Sequence, residues 1–151
     1  MKKLLTAVVL GAVAALAVTA LALGAARDTY MVGAKLTAKA EVPAPAGVPA
    51  AAKGSFTGSY VEHKDTATLT WRLMFSGLSG PGTAAHIHMG KVGAAGAVIV
   101  PLCGPCKSGQ TGKATISESV IKALEAGKAY VNVHTAKNAA GEIRGQVKVS
   151  G

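Results

Sequence analysis

The stretch Thr66-Ala67-Thr68-Leu69-Thr70-Trp71-Arg72-Leu73-Met74-Phe75-Ser76 decides the fold. Its large apolar residues fall on every second position: Leu69, Trp71, Leu73 and Phe75 share one face, and Thr68, Thr70, Arg72 and Met74 take the other. A period of two belongs to a half-buried antiparallel strand, whose successive side chains point to opposite faces. The alternation recurs downstream, where Val131 and Val133 alternate with Tyr130, Asn132 and His134. Ile143, Val147 and Val149 likewise alternate with Glu142, Arg144, Gln146 and Lys148. Between these runs lie turn-forming breaks at His63-Lys64-Asp65, Gly77 to Gly82, Gly90 to Gly96 and Lys137 to Gly141. Several short strands at this spacing predict an all-β antiparallel sandwich or barrel.

Two segments depart from the strand pattern. Ser117 to Gly127 carries helix formers, a serine able to cap its start and a glycine where a helix would stop, which predicts a short crossover helix. Pro43-Ala44-Pro45-Ala46-Gly47-Val48-Pro49 cannot supply a regular ladder of N–H donors and is expected to be an extended surface loop.

Within the 151 residues the N-terminus stands apart. Met1-Lys2-Lys3 is basic, and the run from Leu4 to Ala26 carries no charge and ends in small residues suited to signal-peptidase cleavage. Residues 1–26 are read as an export signal, or as an N-terminal membrane anchor if cleavage does not occur, and residues 27–151 as one domain. The expected location is secreted or periplasmic. Removing residues 1–26 takes away Lys2 and Lys3 and no acid, so 14 basic residues face 7 acidic ones and the net charge is +7. Such a surface attracts anions. The lysines are scattered among glycines and alanines without interleaved aromatics, so nucleic acid is not expected as a partner; small anions or a metal-delivery partner fit better.

Ala84-Ala85-His86-Ile87-His88-Met89-Gly90 holds two of the four histidines. On a strand His86 and His88 share one face and Ile87 takes the other, so the two imidazoles can grip one transition-metal ion such as copper, zinc, iron or nickel. The competing reading is a solvated polar pair alternating with a core isoleucine. His134, opposite in parity to Val131 and Val133, can project from the same outer face. Cys103-Gly104-Pro105-Cys106 has the spacing of a redox motif, but Lys107 to Gly112 is turn sequence and no helix follows to lower a thiol pKa. A disulfide between Cys103 and Cys106 is expected in an oxidising compartment; metal ligation and dithiol catalysis are the alternatives.

Gly77-Leu78-Ser79-Gly80, Ala85 to Gly90, Gly96 to Leu102, Tyr130 to His134 and Gly141 to Gln146, in this order, resemble the CHRD domain, named after repeats in chordin. The resemblance covers about Ala34 to Val149 and implies a secreted, all-β domain. The order of strand, Gly-Leu loop, His-x-His, glycine-rich loop, Val-His, Asn-Ala-Gly-like turn and arginine also looks like copper-zinc superoxide dismutase. That likeness implies a Greek-key sandwich with one copper ion held by His86, His88 and His134, and Arg144 as the catalytic residue that draws an anionic substrate to it. Apart from that likeness, proximity in the sequence makes Met89 or a sulfur of Cys103 or Cys106 a candidate for an added soft ligand. This chain departs from that family between His88 and His134, where no histidine occurs, so the bridging histidine and the zinc ligands are missing. Gln146 and Val147 stand where its second disulfide cysteine would be, and His63 falls in an expected turn.

Two functions therefore compete: an exported mononuclear copper protein, handling copper or exchanging electrons with a small oxidant such as superoxide, and a non-enzymatic extracytoplasmic binding or scaffold module. In the second, the histidines and Asn132 form a polar patch, and Arg144 pairs with Glu142 or is solvated.

Overall fold

The computed structural model describes residues 28–151, so the expected signal helix at residues 1–26 lies outside the described residues. Nine strands and one helix follow in order: β1 (Thr29–Thr37), β2 (Lys53–His63), β3 (Thr66–Ser76), β4 (Gly82–Met89), β5 (Val98–Cys103), β6 (Gln110–Ser117), α1 (Glu118–Glu125), β7 (Ala129–Thr135), β8 (Ile143–Gln146) and β9 (Lys148–Ser150). A single 3-10 turn, Ala38–Ala40, follows β1. The expectation of an all-β antiparallel sandwich or barrel with one short helix is met.

Hydrogen bonding joins the strands in the order β5-β4-β7-β8-β1-β2-β3-β6, with β9 also paired to β1. The chain builds β1, β2 and β3 as a meander, crosses to the other end of the sheet for β4 and β5, and returns for β6. Curvature brings the two ends of this sheet near each other into a nearly closed barrel. Among the described residues no ladder joins β5 to β6. The Cys103–Cys106 disulfide forms at that seam, and Cys106 N–H donates to the Gly82 carbonyl of β4 at 2.9 Å.

Leu69, Trp71 and Leu73 of β3 enter the core as the alternation requires, joined by Leu36, Phe56, Tyr60, Ile87, Val131, Val133 and Ile143. Each full burial of such a side chain contributes about 1.5–3 kcal/mol. Phe75 is only partly buried, at the rim. Strands β1, β2 and β6 are weakly marked in the sequence because glycine, alanine, serine and threonine dilute their apolar period; β6 begins at Gln110, inside the stretch expected to be turn.

Helix α1 lies within the expected segment and buries Val120, Ile121, Ala123 and Leu124. Ser117 precedes it, but its hydroxyl meets Ser119 Oγ at 2.9 Å instead of capping a backbone N–H. The C-terminus closes as a Schellman motif: Gly127 takes φ +63°, its N–H donates to Leu124 O, and Lys128 N–H donates to Ala123 O. Pro43 to Pro49 is irregular loop, as expected.

Parity gave β7 one wet face, and here the structure differs. All seven residues of β7 are buried, as are Glu142 just before the adjacent strand β8 and Arg144 within it. The loops after β1, β4 and β7 fold over the outer face of β4, β7 and β8, so that face becomes a second, polar interior. His63, expected in a turn, is the last residue of β2, with Nε2 2.9 Å from Thr68 Oγ1.

Candidate metal centre

The register of two strands, β4 and β7, assembles the site. His86 pairs with Asn132 and His88 with Tyr130 across β4 and β7, while His134 pairs with Ala84. His134 is therefore diagonal to His86 on the same face, a separation that long side chains span. His86 Nδ1 lies 3.1 Å from His134 Nε2, and one ligand atom from each of His86, His88 and His134 falls within 4.8 Å of the others. Nitrogens that each sit about 2 Å from one ion are about 3–3.5 Å apart. The pair already has that spacing, and the third nitrogen lies within 4.8 Å of both.

The outer ring nitrogens are tied down. His88 Nδ1–H donates to the Gly96 carbonyl at 2.9 Å, and His134 Nδ1–H donates to the Ala139 carbonyl at 2.9 Å. These bonds place the lone pair of each ring on Nε2, the pattern by which outer partners orient metal-ligating histidines. His88 Nε2 is buried and has no partner, an orphaned acceptor facing its two neighbours. Burial first, then the neighbouring histidines, pushes the His86 pKa below its ordinary value. Burial also lowers that of His134, opposed by the Ala139 carbonyl. His88 and His134 are buried, whereas His86 is half-exposed and gives the cluster its side open to solvent. A cluster of basic nitrogens disfavouring protons suits a cation. The donor set fits a single metal ion, and the imidazole pair expected from β4 and the third imidazole from β7 do converge.

The surrounding loops hold this geometry. Arg144, 1% exposed, lies with its guanidinium carbon 3.3 Å from the centroid of the Tyr130 ring, which stacks on His88 at 5.0 Å. Arg144 Nη2 donates to the carbonyls of Lys91 and Ala94, and Gln146 Nε2 donates to that of Gly90. Tyr130 Oη accepts from Gly96 N–H. Together they fix the β4–β5 loop whose Gly96 carbonyl orients His88. Arg144 neither pairs with Glu142 nor is solvated, the two states expected of it in a metal-free module. On the other side Glu142 accepts from Ser79, Thr135 and Asn138, and Asn138 Oδ1 accepts from Ala46 N–H at 2.8 Å, bracing the loop whose Ala139 carbonyl orients His134.

Sequence reasoning missed Glu41, which is 4% exposed and follows the 3-10 turn. Burial raises its pKa, opposed by the Val42 N–H and the charge of Arg144. Its burial depends on Gly141, at φ +134°, where a Cβ would collide with the Glu41 carboxylate. No local pattern announces a contact between positions 41 and 141.

No sulfur joins the cluster from the cysteines: Cys103 and Cys106 are bonded to each other at 2.07 Å, as expected, and none is free. Cys103 pairs with Ala85, an inward position of β4, and Met89 takes the opposite parity to His88. Among the described residues no helix is long and apolar enough to cross a membrane.

Comparison with curated proteins and with solved structures finds no match. The family model for the CHRD domain matches residues 32–147. That span runs from β1 to the residue after β8 and takes in all three histidines, so the chain belongs to the CHRD domain family.

Proposed function

We propose that this CHRD protein works outside the cytoplasm, exported by residues 1–26, and holds one copper ion through His86, His88 and His134 for copper handling or a superoxide dismutase-like electron exchange. The observation that carries the reading is the convergence of three imidazole nitrogens within 4.8 Å, with two rings already held in the ligating tautomer. An all-imidazole set suits copper as it also suits zinc, iron and nickel; the superoxide dismutase-like order of motifs is what favours copper. Bound copper supplies a one-electron couple. The chain's own residues do the rest. Gly96 and Ala139 carbonyls orient His88 and His134, and half-exposed His86 lies on the solvent side. The guanidinium of Arg144 adds to anion attraction through its field, while its hydrogen bonds hold the loop.

The test is a copper titration of the purified protein beside His86→Ala and His134→Ala. One tight equivalent, lost in both variants, is expected. Unchanged uptake in either variant overturns the shared site, and no tight equivalent in the parent leaves the metal-free module. Superoxide turnover by the copper-loaded protein separates catalysis from handling.

A further inference from the structure

The seven acidic residues are segregated. Glu41 and Glu142 are buried at the histidine face. Glu62, Asp65, Glu118 and Glu125 line one cavity of about 270 Å³ between the β2–β3 hairpin and α1, and Asp28 acts on Tyr30 together with Glu62 and Glu125. Every exposed carboxylate therefore stands at one pole of the barrel.

The outer face of β9, β1, β2, β3 and β6 carries none. Strand parity and register put Lys148, Lys35, Lys53, Arg72 and Lys113 on it, all exposed. Neighbouring strands are about 4.8 Å apart and alternate residues about 6.8 Å, so Lys148, Lys35 and Lys53 step diagonally at about 8 Å, as do Arg72 and Lys113. Around them many outward positions are hydroxyls, among them Thr57, Ser59, Thr70 and Thr111, with Gly33, Met31 and Met74 on the same face.

A depression of about 410 Å³ lies in the same face. Met74 and Phe75 contribute apolar surface, and Lys35, Lys53, Ser55 and Ser108 supply charge and hydroxyls. That size falls within the range of about 300–1,000 Å³ for small-molecule sites. A ring with apolar C–H faces, hydroxyl edges and an anionic substituent matches this lining. Beyond the partly buried Phe75 in the depression, the large hydrophobics exposed on this face are Met31 and Met74, too few for a membrane-inserting surface.

We propose that this face binds an anionic polysaccharide, with one acidic sugar seated in the Lys35–Lys53 depression and the chain continuing across the strands toward Arg72 and Lys113. The site lies apart from the histidines and does not rest on copper.

Binding of the purified protein to polygalacturonate, which carries carboxylates, and to dextran sulfate is measured by calorimetry at about 0.15 M salt, with neutral dextran and vesicles containing anionic phospholipid alongside. Binding to at least one charged polymer is expected, weakened about tenfold by Lys35→Ser/Lys53→Ser. Lys64→Ser/Lys122→Ser, at the acidic pole, should change it less than about twofold at unchanged melting temperature. Equal weakening by both pairs would reduce the effect to net charge and overturn the proposal. Failure to bind either polymer, or tighter binding to the vesicles, would also overturn it.

Discussion

Replacing Glu142 tests whether the covered polar face is held by design of its hydrogen bonds. The side chain is fully buried and accepts from Ser79 N–H at 2.6 Å, Thr135 Oγ1 at 2.5 Å, Asn138 Nδ2 at 3.1 Å and the Ser79 hydroxyl. Burial alone would raise its pKa, but these four donors outweigh burial and hold the carboxyl below the ordinary value of 4.5. Glu142→Ala strands four donors. At about 1 kcal/mol each, with water recovering part, the expected loss is about 3 kcal/mol; Glu142→Gln, which keeps one acceptor, should lose about half. The contribution of a carboxyl with a depressed folded pKa is complete above the unfolded value and lost as pH falls through the folded one. Urea unfolding at neutral pH and again in acid should therefore show the difference from the parent shrinking toward low pH. Copper affinity should fall as well, since the Ala139 carbonyl that orients His134 sits on the loop Glu142 braces. A neutral-pH loss within about 1 kcal/mol, or one that ignores pH, would refute the reasoning.

Three further outcomes are expected. Arg144→Lys gives up the stack on Tyr130 and one of two carbonyl contacts. It should cost about 1–3 kcal/mol and speed amide exchange across residues 91–96. At Gly112 a Cβ would run into Cζ2 of the Trp71 indole, so Gly112→Ala should destabilise by about 1–3 kcal/mol and shift tryptophan fluorescence. Thiol titration of the native protein should find no free thiol, and Cys103→Ala/Cys106→Ala should lower stability by about 2 kcal/mol, the low end for so short a loop.

The alternation at Leu69, Trp71 and Leu73, the helix before Gly127 and the common face of His86 and His88 were legible because each depends on residues within one segment, where side-chain direction follows from local backbone period. The disulfide was legible because only two cysteines exist and they lie close together in the chain. Pairing was not. That His134 comes diagonal to His86 follows from the register of β4 with β7, a contact across 48 residues for which parity offered a common face and motif likeness the convergence, but which periodicity leaves free. The sequence read Asn132, Glu142 and Arg144 as solvent-side residues, correct in parity but wrong in exposure. Whether an outward side chain meets water depends on loops from elsewhere folding over it, and those loops are held where Arg144, Gln146, Glu142, Tyr130 and Asn138 satisfy their polar groups. Strand period is thus written locally in the sequence, while burial of the polar face, convergence of the ligands and separation of the acids belong to the closed sheet.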